Sequence, residues 1–274
     1  MIRDITIGQY YPADSVIHKL DPRVKIIGTL LYLFSLFLFK NIVGYAFAVL
    51  FLVIVVKTSK VPFKFISRGL KPVIMLLMIT VFFNLFLTPG GEILLKMGPL
   101  QVTETGLTSA VYMAVRLIFL IMGSSLMTFT TTPNSLTDGL EKLLWPLTYI
   151  KVPVHAISMM MSIALRFIPI LLEETDKIMK AQIARGADLE NGNLLKRVKA
   201  MVPIFVPLFV SAFRRANDLA MAMEARCYRG GEGKNKMKPL VYEKRDHMAY
   251  LILILYLIGV LLIRKYLTVK LWIF

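Results

Sequence analysis

Five stretches of the chain are almost wholly apolar, and basic or turn-forming residues separate them. Residues 24–39 and 42–56, parted by Lys40-Asn41, predict a helical hairpin. Residues 73–87 open after Pro72 and stop at Thr88-Pro89-Gly90-Gly91, a sequence through which no helix continues. A fourth run covers 107–127, with Arg116 near its middle, and a fifth covers 248–263. A bilayer core takes about 20 apolar residues, so the first two runs are short, and Lys25, Lys40 and Lys57 are expected to extend them by snorkelling.

Between the fourth and fifth runs the pattern changes. No apolar run there reaches spanning length: residues 154–165 end at Arg166, and residues 200–213 contain Pro203 and Pro207. Weakly polar and apolar residues instead recur at helical spacing. Leu171, Thr175, Ile178, Met179 and Gln182 lie opposite Glu173, Glu174, Lys177 and Lys180; Phe209, Ala212, Ala216, Leu219, Ala220 and Met223 lie opposite Arg214, Arg215 and Asp218. Two long amphipathic helices are predicted, parted by a break over 186–193. The small residues of the second stripe would let the helices cross with close backbones. A helix over 155–185 would be about 45 Å long and bent at Pro169.

Composition and charge fix the setting. Of the 274 residues 57% are hydrophobic, against about 45–50% in soluble domains, and the mean hydropathy is +0.66. The net charge of +16 argues little for nucleic acid, because the basic residues flank apolar runs as they do in cytoplasmic loops of membrane proteins. Lys57, Lys60, Lys64, Arg68 and Lys71 fall in one loop without an acid, which places that loop in the cytoplasm. Residues 89–105, a loop without basic excess, belong outside. The N-terminus is then inside and the C-terminus outside, with Arg264, Lys265 and Lys270 in discord. The polar first 23 residues carry no apolar run, so no cleavable signal is expected in them, and the single Cys227 fits a reducing compartment. The expected fold is an all-α polytopic membrane protein of about five transmembrane helices. Residues 1–132 form a membrane region with four of them, 133–247 a cytoplasmic region of two long crossed amphipathic helices, and 248–274 the last span.

One short pattern occurs twice, 41 residues apart: Ala181-x-x-Ala184-Arg185-Gly186 and Ala222-x-x-Ala225-Arg226-Cys227. A single copy reads as an ordinary helix end, with a cation in the last turn and glycine after it. The second copy keeps the alanines and arginine but loses the glycine, so capping is not the expected shared purpose. What recurs is a guanidinium fork on a small-residue platform, suited to a carboxylate or to carbonyls of a partner. A doubled contact suggests a doubled partner.

Other chemistry is poorly supported. No phosphate-binding G-x-x-x-x-G-K-[ST] occurs, and Gly230-Gly231-Glu232-Gly233-Lys234 reads as a flexible loop. His18, His155 and His247 are scattered, so neither a metal site nor a cofactor is expected, and the chain is not expected to be an enzyme. Arg116 within a span is either paired structurally or placed at a partner interface. Asp21 and Arg23 read as a turn and cap before the first helix. The 16 methionines read as core or as adaptable surface.

His18-Lys19-Leu20-Asp21-Pro22-Arg23-Val24-Lys25, Arg166-Phe167-Ile168-Pro169 and the paired Ala-Arg motifs together resemble the transmembrane T component of energy-coupling factor transporters, the EcfT family. The resemblance covers nearly the whole chain. It implies a non-catalytic coupling subunit in the plasma membrane of a prokaryote. Such a subunit joins two ABC-type ATPases to a substrate-binding membrane S component for uptake of vitamins or other micronutrients. It further implies that Ala184, Arg185 and Gly186 dock on one ATPase and Ala225, Arg226 and Cys227 on the other, Cys227 replacing the family's usual glycine. A dedicated cobalt or nickel transporter would share these features. A stand-alone secondary transporter or channel would need more intramembrane charge than Arg116 supplies.

Overall fold

The computed structural model describes residues 10–39, 42–88, 90, 93–97, 100–187, 194–228, 230 and 239–266. The expected breaks at Lys40-Asn41 and from Asp188 to Asn193, the loop residues Gly231 to Lys234, and Lys270 lie outside them. The helices are α1 (Pro22–Leu38), α2 (Ile42–Ser59), α3 (Phe63–Arg68), α4 (Ile74–Leu87), α5 (Glu104–Thr130), α6 (Pro133–Leu144), α7 (Val154–Ala184), α8 (Leu194–Ala225) and α9 (Lys244–Tyr266). Short 3₁₀ turns at Lys71–Val73 and Trp145–Ile150 precede α4 and α7. The stretch read as a plain outer loop contains two antiparallel strands, β1 (Ile93–Met97) and β2 (Leu100–Thr103), with Met97 opposite Leu100.

Among the described residues five helical stretches are, by length and composition, long and apolar enough to cross a membrane: Ile42–Ser59, Phe63–Phe86 (α3, the 3₁₀ turn and α4 in series), Glu104–Thr130, Val154–Ala184 and Lys244–Lys265. The number agrees with the hydropathy reading but the membership differs. α1 closes at 17 residues, about 25 Å of helix. Conversely α7 qualifies, because neither Arg166 nor Pro169 ends it, and its apolar stretch therefore runs past the point where the sequence pattern breaks.

The chain forms two compact units, one of Gly8–Leu140 with Leu240–Phe274 and one of Glu141–Pro239, each taken over its described residues. In the first, α1 packs on α2, α5 and α9, and α4 lies along α5. Its core gathers Tyr32, Leu36, Tyr45, Leu52, Leu126 and Tyr256. The approach of α5 to α1 needs Gly123, where a Cβ would stand 2.7 Å from the Tyr32 ring.

The start of α1 does more than cap. The Asp21 carboxylate accepts from Arg23 N at 2.8 Å, with Pro22 in the first turn, as the sequence predicts. The Asp21 amide in turn donates to the buried Asp246 Oδ1 at 2.8 Å, while Asp246 Oδ2 accepts from Glu243 N at 2.8 Å at the start of α9. Arg23 donates to Leu240 O at 2.8 Å and lies 4.4 Å above the Tyr242 ring. Lys25 does not snorkel. Its ammonium donates to His18 O at 3.0 Å and to Thr130 O, at the end of α5, at 2.8 Å. Arg116 is paired structurally, donating to the Tyr45 hydroxyl at 2.9 Å with Phe37 5.4 Å from its guanidinium.

Candidate docking site: two arginine-tipped helix ends

Both copies of the repeated motif close a helix, and they close it in the same way. α7 ends at Ala184; Gly186 takes φ +86°, its amide donates to Ile183 O at 2.9 Å, and Ala187 N donates to Gln182 O at 3.0 Å. α8 ends at Ala225; Cys227 takes φ +57°, its amide donates to Glu224 O at 2.8 Å, and Tyr228 N donates to Met223 O at 2.9 Å. Each is a Schellman closure with arginine as the C-cap and a left-handed residue after it. The loss of glycine in the second copy therefore does not remove the cap. Cys227 makes it at the steric cost, about 1–2 kcal/mol, of a Cβ in left-handed backbone.

All six residues of the two ends, Ala184, Arg185, Gly186, Ala225, Arg226 and Cys227, are exposed. A Cβ added at Gly186 would meet nothing within 4 Å. The closing bonds use backbone groups alone, so both guanidinium groups stand outside the cap's own bonding. Among the described residues no group of three metal-ligating side chains comes together.

α7 and α8 run antiparallel. Tyr228 bonds Met159 at 3.1 Å, Glu174 accepts from Ser211 at 2.5 Å and from Arg215 at 2.9 Å, and Gln182 donates to Pro203 O at 3.3 Å. The last bond has a specific origin. Pro207 lacks the N–H that would have bonded the carbonyl four residues earlier, leaving Pro203 O to the Gln182 amide. The packed face of α8 also differs from the one the pattern gives: Ile204, Leu208, Ser211, Ala212, Arg215, Leu219 and Met223 are among the more covered positions, while Phe209, Ala216 and Ala220 are exposed. Arg215 turns inward because Glu174 answers its charge.

Antiparallel pairing sets the two C-terminal ends apart. Arg185 lies 11 residues beyond Glu174 and Arg226 lies 11 beyond Arg215, so at the rise of an α-helix each tip stands about 16 Å from the central ion pair, on opposite sides. Val202, Phe205, Val206, Phe209, Val210 and Phe213 make an exposed apolar ridge along α8 at a helical repeat.

These features define a class: a polytopic helical membrane protein that carries a pair of long helices with two equivalent arginine-tipped ends. Comparison with known proteins narrows it. The sequence model of a family described as cobalt transport protein matches residues 13–238. The energy-coupling factor transporter transmembrane protein EcfT of Clostridium kluyveri is 58% identical over 252 residues, 92% of this chain and 93% of the relative. Proteins of the same description from Thermosediminibacter oceani and Bacillus subtilis are 51% and 48% identical, over 91% and 90% of this chain and 94% and 93% of theirs. The chain belongs to the EcfT family and is the transmembrane component of an energy-coupling factor transporter. As such it is a non-catalytic membrane subunit.

Proposed function

We propose that this subunit docks two cytoplasmic ABC-type ATPases, one at each arginine-tipped end, and passes their motion to a substrate-binding membrane subunit. The observation that carries the reading is the equivalence of the two ends: same cap, same arginine position, opposite directions from one crossing point. Two like partners related by symmetry would meet two like surfaces. Ala184 and Ala225 leave room for a partner's backbone, and each guanidinium can grip a carboxylate or carbonyls in a groove.

Closure of the ATPase pair would draw the tips together. The Glu174–Arg215 and Glu174–Ser211 bonds lie between the tips, so a scissor motion about them transmits displacement to the other ends of α7 and α8. The N-terminus and the paired helices face the cytoplasm in this reading, and the apolar ridge of α8 supports contact with a membrane partner. The cargo is a vitamin or another micronutrient held by that partner. The description of the matching family, cobalt transport protein, favours a second cargo, cobalt or a similar metal ion; in that second reading one ATPase type and a dedicated metal-binding subunit would accompany this chain.

Purification of the tagged subunit from its host separates these cases. Two ATPases with varied small membrane proteins support the shared module, one ATPase type with a single metal-binding subunit supports the dedicated one, and an unaccompanied chain contradicts the coupling role.

A further inference from the structure

A groove of about 400 Å³ lies in the unit formed by Gly8–Leu140 and Leu240–Phe274, where α1, α2, α5 and α9 meet. Its volume falls in the range of small-molecule sites, about 300–1,000 Å³. Gly28, Tyr32, Gly123 and Leu126 make its inner wall, and the exposed Met248 and Ile252 make its rim. Nearly all of it is apolar. Lys25 and Arg245 are the cations that line it, and they mark one end of the helix bundle: the first turn of α1, the last residues of α2 and α5, and the start of α9.

Three donors at this groove are unused among the described residues. The Tyr32 hydroxyl is buried, in a residue 4% exposed, and has no hydrogen-bond partner. Arg245 Nε is likewise buried without one, although its terminal nitrogen bonds Glu243 at 2.5 Å. Lys25 gives two protons to carbonyls and keeps a third. Nearby acids are already engaged, Asp246 by two backbone amides and Asp21 by Arg23 N. The same end of the bundle carries Lys57, Lys60 and Lys64 on a segment without acids. Apolar wall and cationic end together ask for an anionic amphiphile; a water-soluble anion would leave the apolar wall unfilled.

We propose that this groove binds one anionic phospholipid of the surrounding bilayer, its phosphate at Lys25 and Arg245 and one acyl chain laid along Val55, Met127 and Ile252. The lipid would fill the gap between α2 and α9 and brace the start of α1. This assignment stands apart from the docking reading and uses none of its residues.

The test is native mass spectrometry and thermal unfolding of the full chain in a neutral detergent, with phosphatidylglycerol, phosphatidylcholine or inorganic phosphate added. One phosphatidylglycerol should be retained with about tenfold preference over phosphatidylcholine, and it alone should raise the unfolding temperature. Arg245→Gln should abolish that preference, and Ile252→Trp, which crowds the rim, should lower retention of both lipids. Equal retention of the two lipids by the wild type overturns the proposal without any variant. So does a stabilisation by inorganic phosphate that matches phosphatidylglycerol, or an Arg245→Gln chain that is folded and keeps the wild-type preference.

Discussion

Gly186 and Cys227 occupy one position in two helices: each follows the final arginine, each adopts left-handed backbone, and each donates its amide three residues back. Glycine does so freely. Cysteine does so against its Cβ. Cys227→Gly should therefore stabilise the end of α8 by about 1 kcal/mol, and Gly186→Ala should weaken the end of α7 by a similar amount. Hydrogen exchange of the two helix ends reads both changes; faster exchange at the end of α8 in Cys227→Gly would contradict the equivalence.

Pro207 and Gln182 should be energetically coupled. Gln182→Ala leaves Pro203 O without its donor and should cost about 1 kcal/mol. In a Pro207→Ala background, residue 207 regains an N–H to bond that carbonyl, and Gln182→Ala should then cost little. A double-mutant cycle on chemical unfolding in mixed micelles measures the coupling, and additive effects would contradict it.

Asp246 should be a structural keystone. It is 2% exposed and accepts two backbone amides, one of them from Asp21, 225 residues away. Asp246→Ala should destabilise the bundle by about 2–3 kcal/mol, and Asp246→Asn, which keeps one acceptor oxygen, by less. Thermal unfolding in detergent checks the order; a loss below about 0.5 kcal/mol in Asp246→Ala would show that these bonds are dispensable.

What the sequence made legible was local. Helical spacing located α7 and α8, and the Ala-Arg endings located their closures, because a helix and its cap depend on residues within five positions. The stripe on α7 was readable for the same reason, apart from Glu174. Relationships across the chain were not legible. Nothing in the periodicity of α8 says that Arg215 faces inward, since its reason is a carboxylate 41 residues earlier. Asp246, Tyr45 beside Arg116 and the use of Pro203 O by Gln182 were hidden likewise. Arg166 and Pro169 broke the apolar pattern without breaking the helix, because one charge and one lost hydrogen bond are small against 31 residues of continuous α7. The cap at Cys227 was missed because glycine is a preference of left-handed backbone and not a requirement.

The docking claim meets its most direct test in Arg185→Glu and Arg226→Glu, made singly and together, with retention of each ATPase subunit measured by affinity purification. Both arginines are exposed and the caps are closed by backbone bonds, so the variants should unfold at the wild-type temperature. Each single change should weaken one ATPase contact by about 2 kcal/mol or more, and the double variant should lose both subunits. A double variant that still retains both ATPases would contradict the assignment of the arginine-tipped ends as their docking sites.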